Sequence, residues 1–474
     1  MRFFVVLSFF IVLIFFSACK KEFIVKSSGE LGFSTDTVKI DTIFTTFPSP
    51  SYRLFVYNKM NYSLKIKSIQ LKGGENSEFQ LVIDGLKGNS QQNVILEPRD
   101  SIYIFVSIKS NEKEKVVQDF IEFELDNKKE QVVLQAFVRD AYFYRGVDSL
   151  YVFDCNAFLA NDKPHIIDGL AYVPENCTLT IQAGAEIRFS SIKNKDALPI
   201  SQILVGGTLI VEGTSQAPIL FDTWRLDDDY QEGSGQWFGL HFLKNSKDSK
   251  LKYVLLKNGH IAIQVDSMAL NTNPKLLIEQ TEIRNFANFG ILGLGAHGAS
   301  AVPSIKAVNT LIYNCGQSSV GLFFGGNYEF EHCTMANYSG EIRRSEPVLN
   351  IADYLEYEEN GQGIRIVYPI KAYFSSCIIY GSEEQEWKSD FKGNQVDILF
   401  ENCLIKSKPD VNIPGNDNLL NQDPRFKNHL ERDFGLKEDS PCIDKGKVNS
   451  SVSIDLYGKS RVQVPDIGAI EYIP

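Results

Sequence analysis

A repeat of uneven length governs what this chain can fold into. The segments Leu256-Lys257-Asn258, Ile283-Arg284-Asn285, Ile312-Tyr313-Asn314 and Met335-Ala336-Asn337 align, with their asparagines 27, 29 and 23 residues apart. Ile379-Tyr380-Gly381 and Ile405-Lys406-Ser407 continue the series after a 44-residue step from Asn337 to Gly381, which predicts an insertion. Each copy ends an apolar-containing stretch at Asn, Gly or Ser, residues that tolerate unusual backbone angles in turns. A period of this size marks a stacked array. The copies read as strands, so the array is a solenoid of parallel strands in which each coil touches only its neighbours.

A second motif falls in the same register. Phe330-Glu331-His332-Cys333, Phe374-Ser375-Ser376-Cys377 and Phe400-Glu401-Asn402-Cys403 are one pattern three times. Equivalent residues of adjacent coils stack about 4.8 Å apart, so these thiols read as small apolar residues lining a narrow core. The remaining cysteines after Cys19 are Cys155, Cys177, Cys315 and Cys442. Seven in all is odd, no CxxC or Cys/His zinc spacing occurs, and a disulfide framework is not expected.

Ahead of the repeat, from about Phe33 to Ala141, the pattern changes to short alternating strands: 52–57, 64–69, 102–106 and 132–137, with turn-rich stretches such as Gly73-Gly74-Glu75-Asn76-Ser77 between them. Strands at this spacing over one domain's length predict a β-sandwich. Composition agrees, since 33 Phe, 20 Tyr and 34 Gly against 4 Met favour strands and turns. The expected fold is all-β: a sandwich over 33–141, then a solenoid over 145–474. Forty-eight basic residues against 59 acidic give a net charge of −11 with no Lys/Arg block. A nucleic-acid partner is excluded on that ground, for want of charge to neutralise phosphates.

The N-terminus reads as an address. Arg2 precedes an apolar run from Phe3 to Phe16, too short to span a bilayer core but right for a secretory leader. Phe16-Ser17-Ala18-Cys19 resembles the lipobox of bacterial lipoproteins, and Lys20-Lys21-Glu22 after it resembles the start of a tether in lipoproteins of Bacteroidota. The resemblance implies a leader over 1–18, acylation at Cys19 and a lipidated tether over 19–32. The membrane would then be a partner through the lipid, in the cell envelope and at the outer membrane, with the side left open. Asp41-Thr42-Ile43-Phe44-Thr45-Thr46 and the strands around it resemble the Ig-like module of such lipoproteins.

The solenoid segment resembles right-handed parallel β-helix proteins of the pectin-lyase-like kind. The resemblance rests on 178–189, Gly207-Thr208-Leu209-Ile210-Val211-Glu212-Gly213-Thr214, and Gly235-Gln236-Trp237-Phe238-Gly239-Leu240. The ending, Ser440-Pro441-Cys442-Ile443-Asp444-Lys445-Gly446 with Asp455, Gly458, Arg461 and 466–471, resembles a motif that closes many such domains. It implies that Asp455, Arg461, Asp466 and Glu471 pair to cover the last coil. β-Helices of this kind often act on polysaccharides, so polysaccharide, or an outer-membrane protein, is the expected partner.

Catalytic residues are harder to find. Inverting hydrolysis needs two carboxyl groups about 6.5–9.5 Å apart, one protonated and one activating water. Asp227-Asp228-Asp229 is the obvious acidic cluster, but neighbours in extended chain alternate faces. It reads as a solvated loop, with calcium or carbohydrate contact as the sharper alternative. Trp237 could stack on a sugar ring or pack in the core. Polygalacturonase-like motifs are incomplete: Gly259-His260-Ile261, Ala296-His297-Gly298, Asn309-Thr310-Leu311 and Arg365-Ile366-Val367 each break the pattern. His260 and His332 are expected to be packed or hydrogen-bonded. No resident cofactor and no catalytic residue is assigned. The reading is a non-enzymatic binding module, with a polysaccharide lyase or glycoside hydrolase as the alternative.

Overall fold

A computed structural model describes residues 24–474 apart from 112–113, 127, 228–229, 296–299, 339–343, 345, 360–361, 449 and the side chain of 148. Cys19 with the leader 1–18, Asp228, Asp229 and the Ala296-His297-Gly298 segment lie outside the described residues. The protein is all-β; among the described residues only Gly74–Asn76 and His429–Glu431 are helical, as 3-10 turns. The chain divides into two compact units, Met1–Asp140 and Ala141–Pro474.

In the first unit two sheets close over one core. One sheet runs Val25–Lys26, Ser63–Leu71, Lys115–Glu124, Lys129–Arg139, Thr37–Phe44, with Ser90–Leu96 also paired to Ser63–Leu71. The other runs Leu31–Phe33, Tyr52–Asn58, Ser101–Ile108, Phe79–Ile83, Leu86–Lys87. Alternation decides the facing: Ile102, Ile104, Val106 and Ile108 point inward from one strand and Val132, Leu134, Ala136 and Val138 from another, into a single cluster. Each buried aliphatic side chain contributes about 1.5–3 kcal/mol.

The second unit is a parallel β-solenoid with three faces. The first face stacks Glu186–Phe189, Ile219–Thr223, Val254–Lys257, Glu282–Phe286, Leu311–Cys315, Thr334–Asn337, Ile378–Gly381 and Leu404–Ile405. The second stacks Gln202–Val205, Gly239–Phe242, Ile263–Asp266, Phe289–Leu294, Ser318–Phe323, Leu349–Ala352 and Trp387–Asp390. The third runs from Phe158–Leu159 through Ser249–Lys252 and Leu276–Glu279 to Val396–Glu401 and Gly415–Asn416. Register is exact between coils, as in Leu251 opposite Ile278, Leu256 opposite Ile283 and Ile263 opposite Ile291. Inward positions form one long apolar core.

Two corner columns of left-handed residues explain the repeat. Asn258, Asn285 and Asn314 have φ of 69°, 59° and 53° at the corner between the first and second faces. Tyr253, Gln280, Asn309, His332, Ser376 and Asn402, with φ from 43° to 52°, form the corner between the third and first faces. The backbone must turn there within one residue, and Asn adopts this region at low cost. The asparagine amides also form a ladder. Asn314 Nδ2 donates to Asn285 Oδ1 at 2.5 Å, Asn285 Nδ2 to Asn258 Oδ1 at 3.2 Å, and Asn258 Nδ2 to Asp222 Oδ1 at 2.7 Å.

The Phe-x-x-Cys motif builds two more ladders. Phe330, Phe374 and Phe400 stack with centroids 5.1 and 4.8 Å apart. The thiols of Cys333, Cys377 and Cys403 are fully buried and donate to the carbonyls of Ala307, Phe330 and Phe374, each at 3.4 Å. Burial raises the thiols of Cys333 and Cys377 well above the ordinary value, so they pack rather than react. Cys155 and Cys177 form a disulfide across 22 residues, while the five other cysteines among the described residues are free and buried. The long step holds an antiparallel hairpin, Tyr354–Glu359 with Gln362–Val367.

The C-terminal segment folds back over the later coils of the first face. Phe426, Phe434, Leu436, Leu456 and Ile467 join Leu311, Ala336, Ile378 and Leu404 in one buried cluster. Its chain then reads the third-to-first corner one coil at a time. Asn402 Nδ2 donates to Lys445 O at 3.3 Å and Lys447 N–H to Ser376 Oγ at 2.8 Å. His332 Nε2 lies 3.3 Å from Ser450 Oγ, and Asn309 Nδ2 donates to Ile454 O at 2.7 Å. Arg461 donates to Glu471 at 2.8 Å and to Asn309 Oδ1 at 2.7 Å. Asp455 accepts from the N–H groups of Tyr457, Lys459 and Glu471, and Asp466 from those of Asp444 and Tyr472. These four residues are a closure, with every buried charge met by a partner.

Candidate functional site

Outward positions of the solenoid are where a ligand could sit, and the first two faces differ in what they present. On the first face, Arg188, Asp222, Lys257 and Arg284 follow one another on successive coils, because in each coil this position points out just before the corner. Arg188 Nη1 donates to Asp222 Oδ2 at 2.8 Å, and Lys257 Nζ lies 3.3 Å from Asp222 and 3.7 Å from Glu232. Arg284 binds Glu232 directly, and Arg432 of the C-terminal segment is 3.0 Å from the same carboxylate. Burial raises the Asp222 carboxyl despite Arg188 and Lys257. Burial also works to raise Glu232, but the hydrogen bond and charge of Arg284, with Lys257 and Arg432, hold it below the usual range.

Two carboxyl groups pushed in opposite directions are the arrangement expected of an acid and a base. Access argues otherwise. Asp222 is 3% exposed, and its oxygens are taken by Arg188, Asn258 Nδ2 and the Thr223 N–H at 2.7–2.8 Å. The cluster instead holds the 224–236 loop down: Gln231 O accepts from Asn258 Nδ2 at 2.8 Å and from Lys257 Nζ at 3.2 Å. It is a closed clamp.

The second face is different. One outward column runs Leu204, His241, Gln264, Leu292, Gly321, Asn350, Lys388, and the next runs Asp266, Leu294, Phe323, Ala352, Asp390. His241, Gln264, Asp266, Phe289, Leu294, Phe323 and Asn350 are half-buried, so the columns are open to solvent in part. Gly321 is buried beneath two rings that close over it: a Cβ there would come within 2.8 Å of both Phe289 and Phe323. The rings meet at 6.0 Å and 76°.

On the same face, His241 Nε2 lies 2.7 Å from Asp266 Oδ2, and Gln264 Nε2 donates to Asp266 Oδ1 at 3.0 Å. Burial works to raise Asp266, but hydrogen bonds from His241 and Gln264 hold it below the usual carboxylate range. Behind it Lys275, fully buried, donates to Lys244 O and Asp266 O, and burial lowers its ammonium to about 8. Such a face offers rings, amides and one oriented imidazole, a set suited to gripping hydroxyl-bearing ligands.

The residues singled out in the sequence fall elsewhere. Asp227 is held by both nitrogens of a forked pair, Arg225 Nε at 2.7 Å and Nη2 at 2.8 Å, which occupies both its oxygens. Among the described residues no three His, Cys, Asp or Glu side chains are grouped to hold a metal ion. Trp237 corrects the expectation of a ligand contact. It is 0% exposed, stacked on Phe189 at 4.0 Å with its Nε1 donating to Lys257 O at 2.8 Å, because its strand approach points it into the core. His332 is buried at the corner, and His260 is half-buried, 3.0 Å from the Asn288 amide. Sequence reasoning missed the Asp222–Glu232 clamp and the Gly321 cleft. For the first, the residues preceding Asn258 and Asn285 mark the cations Lys257 and Arg284 but neither carboxylate; for the second, the signal was the alternate positions of strands that follow the corner.

Neither a protein-family model nor a curated protein matches the chain. Eleven chains of solved structures do. One is a family 123 glycoside hydrolase from Clostridium perfringens, described for glycolipid glycan hydrolysis, aligned over 24% of this chain at 7% identity and a TM-score of 0.17. The alignment spans 30% of the hydrolase. A likeness of that size carries no argument about activity.

Proposed function

We propose that this chain is an exported envelope lipoprotein, acylated at Cys19 and held at the outer membrane, whose solenoid binds polysaccharide along its second face without cleaving it. The observation that carries the reading is the contrast in engagement: on the first face Asp222 is buried and Glu232 is held by Arg284, Lys257 and Arg432, while the half-open second face offers the Phe289 and Phe323 rings and the Asn350 amide. Export has its own support, since the Cys155–Cys177 disulfide belongs in an oxidising compartment and Arg2–Phe16 reads as a leader. Among the described residues no helix is long and apolar enough to cross a membrane; several acyl chains on Cys19 would hold where one does not.

The test incubates the full-length protein, purified in detergent, with plant, algal and host polysaccharides, with calcium or chelator. Retention of polymer without new reducing ends or unsaturated products is expected. Cleavage that survives repurification and disappears in a carboxylate variant would replace this reading with the lyase or hydrolase alternative. Labelling with a fatty acid, lost in Cys19→Ser, tests the anchor.

A further inference from the structure

Resting on acylation at Cys19, we infer that the end of the sandwich where the chain enters is a lipid-contacting surface, seated on the bilayer that holds the anchor. Chain length decides the distance. Val25–Lys26 pairs with Ser63–Leu64, and Leu31–Phe33 pairs with 56–58, so residues 19–24 are what separates the lipid from the sheets. Five residue steps from Cys19 to Ile24 reach about 18 Å at full extension and less in any other conformation. A sandwich pinned from Val25 onward cannot stand farther off than that.

The loops around the entry point are knit together, so no slack is added behind the anchor. Asp126 N–H donates to Ser27 O at 2.7 Å, and the Tyr62 hydroxyl donates to Ser28 O at 3.0 Å. Asn58 Nδ2 donates to Tyr62 O and to Glu97 O, each at 2.8 Å. The loops after Lys26, Asn58, Leu96 and Glu124 thus make one end of the sandwich. The chain leaves at Arg139, the far end of Lys129–Arg139.

What this end exposes suits a lipid. Ile24 is 68% exposed and Ile95 54%, and Val25 and Tyr57 are exposed beside them. Val25 and Ile95 sit on the two strands that flank the start of Ser63–Leu71, opposite Ser63 and Lys65. Tyr57 stands on the other sheet, opposite Ser101. Apolar side chains therefore rim the end on both sheets, and lowering them into the headgroup layer removes that area from water. Tyr62 adds an amphipathic ring of the kind that settles at headgroup level. The carboxylates of Glu30 and Asp126 are met by Lys59 at 2.9 Å and Lys67 at 2.7 Å, so they reach the headgroups already neutralised. The short tether does the rest, because a weak affinity suffices when the surface cannot diffuse away.

The experiment uses the full-length acylated protein in vesicles of phosphatidylethanolamine and phosphatidylglycerol that carry a spin-labelled headgroup. A thiol-reactive dye is placed by Asn61→Cys at the entry end, or by Lys109→Cys past the other end of Ser101–Ile108, a strand about 27 Å long. The free cysteines among the described residues are buried, and Cys19 carries the lipid. Quenching is expected to be several-fold stronger at position 61. Ile24→Asp with Val25→Asp should lower it with the urea midpoint unchanged. A tether lengthened by about twenty Gly/Ser residues after Glu22 should lower it further, since effective concentration falls with linker length. Equal quenching at the two positions, weak or strong, in protein that carries fatty acid and floats with the vesicles overturns this inference and leaves the lipoprotein reading standing. Protein that neither takes up fatty acid nor floats overturns both.

Discussion

The first and second faces of the solenoid share one backbone, one coil spacing and one inward pattern, yet treat charge in opposite ways. The first face brings four cations and several carboxylates together, then covers them with the 224–236 loop and the C-terminal segment. The second keeps few charges and leaves its outward columns half open. A cluster of ionisable groups in this fold marks a fastening: where the charges are satisfied they tie the chain to itself, and the second face is left half open.

Breaking the clamp should have the largest effect. Asp222→Ala removes the buried carboxylate between Arg188 and Lys257, leaving them Glu186 at 2.6 Å and Glu232 at 3.7 Å, a loss of about 3 kcal/mol, read as a lower urea midpoint. Affinity of the surviving folded protein for polysaccharide should not change. Gly321→Ala places a methyl between two rings and should cost about 1–3 kcal/mol by overpacking, and here binding should fall with stability. If the alanine variant binds as tightly as the parent, the cleft is not the contact.

A third comparison uses pH. Burial lowers the His332 imidazole to about 3 and raises the Asp466 carboxyl to about 6. Below about pH 6.5 the unfolded chain protonates its histidine first, so His332 withdraws stability as pH falls toward 3. Between about 6 and 3.8 the folded chain protonates Asp466 first, which returns stability over that interval. His332→Asn, matching Asn309 and Asn402 in its column, removes only the first contribution. Between pH 7.5 and 5 the variant should gain about 1–2 kcal/mol on the parent in urea denaturation. Equal curves for the two proteins would show that the corner stays closed whatever its charge. Last, Lys371→Ala breaks an exposed third-face pair with Asp397 at 3.6 Å and should shift stability by less than about 1 kcal/mol.

The sequence made the solenoid legible because stacking writes the same residue into every coil. The Phe-x-x-Cys core repeats where that logic places it, and Asn258, Asn285 and Asn314 turn the corner, though Asn337, Gly381 and Ser407 do not adopt positive φ. Asp455, Arg461, Asp466 and Glu471 pair as expected but lie along the third-to-first corner, Arg461 on Asn309, instead of over the last coil. The second face was not legible. Its ring pair is assembled from Phe289 and Phe323 over Gly321 on two coils, with Gln264 and Asn350 from the coils on either side. Loops of unequal length separate them, and none belongs to a repeated motif. Asp227 and Trp237 stood out for local reasons, a run of acids and a rare ring, that say nothing of which side of the strand they occupy. The Cys155–Cys177 disulfide was hidden because its partners flank two strands, Phe158–Leu159 and His165–Val173, in no standard spacing.

The C-terminal segment runs back along the corner from Asn402 to Asn309, one hydrogen bond per coil. A stack of coils would otherwise set piecewise, each turn firming as soon as its neighbour exists. With a fastening made from residues that follow every coil in sequence, the later coils stay uncovered until that segment docks, so the corner sets as one unit instead of turn by turn.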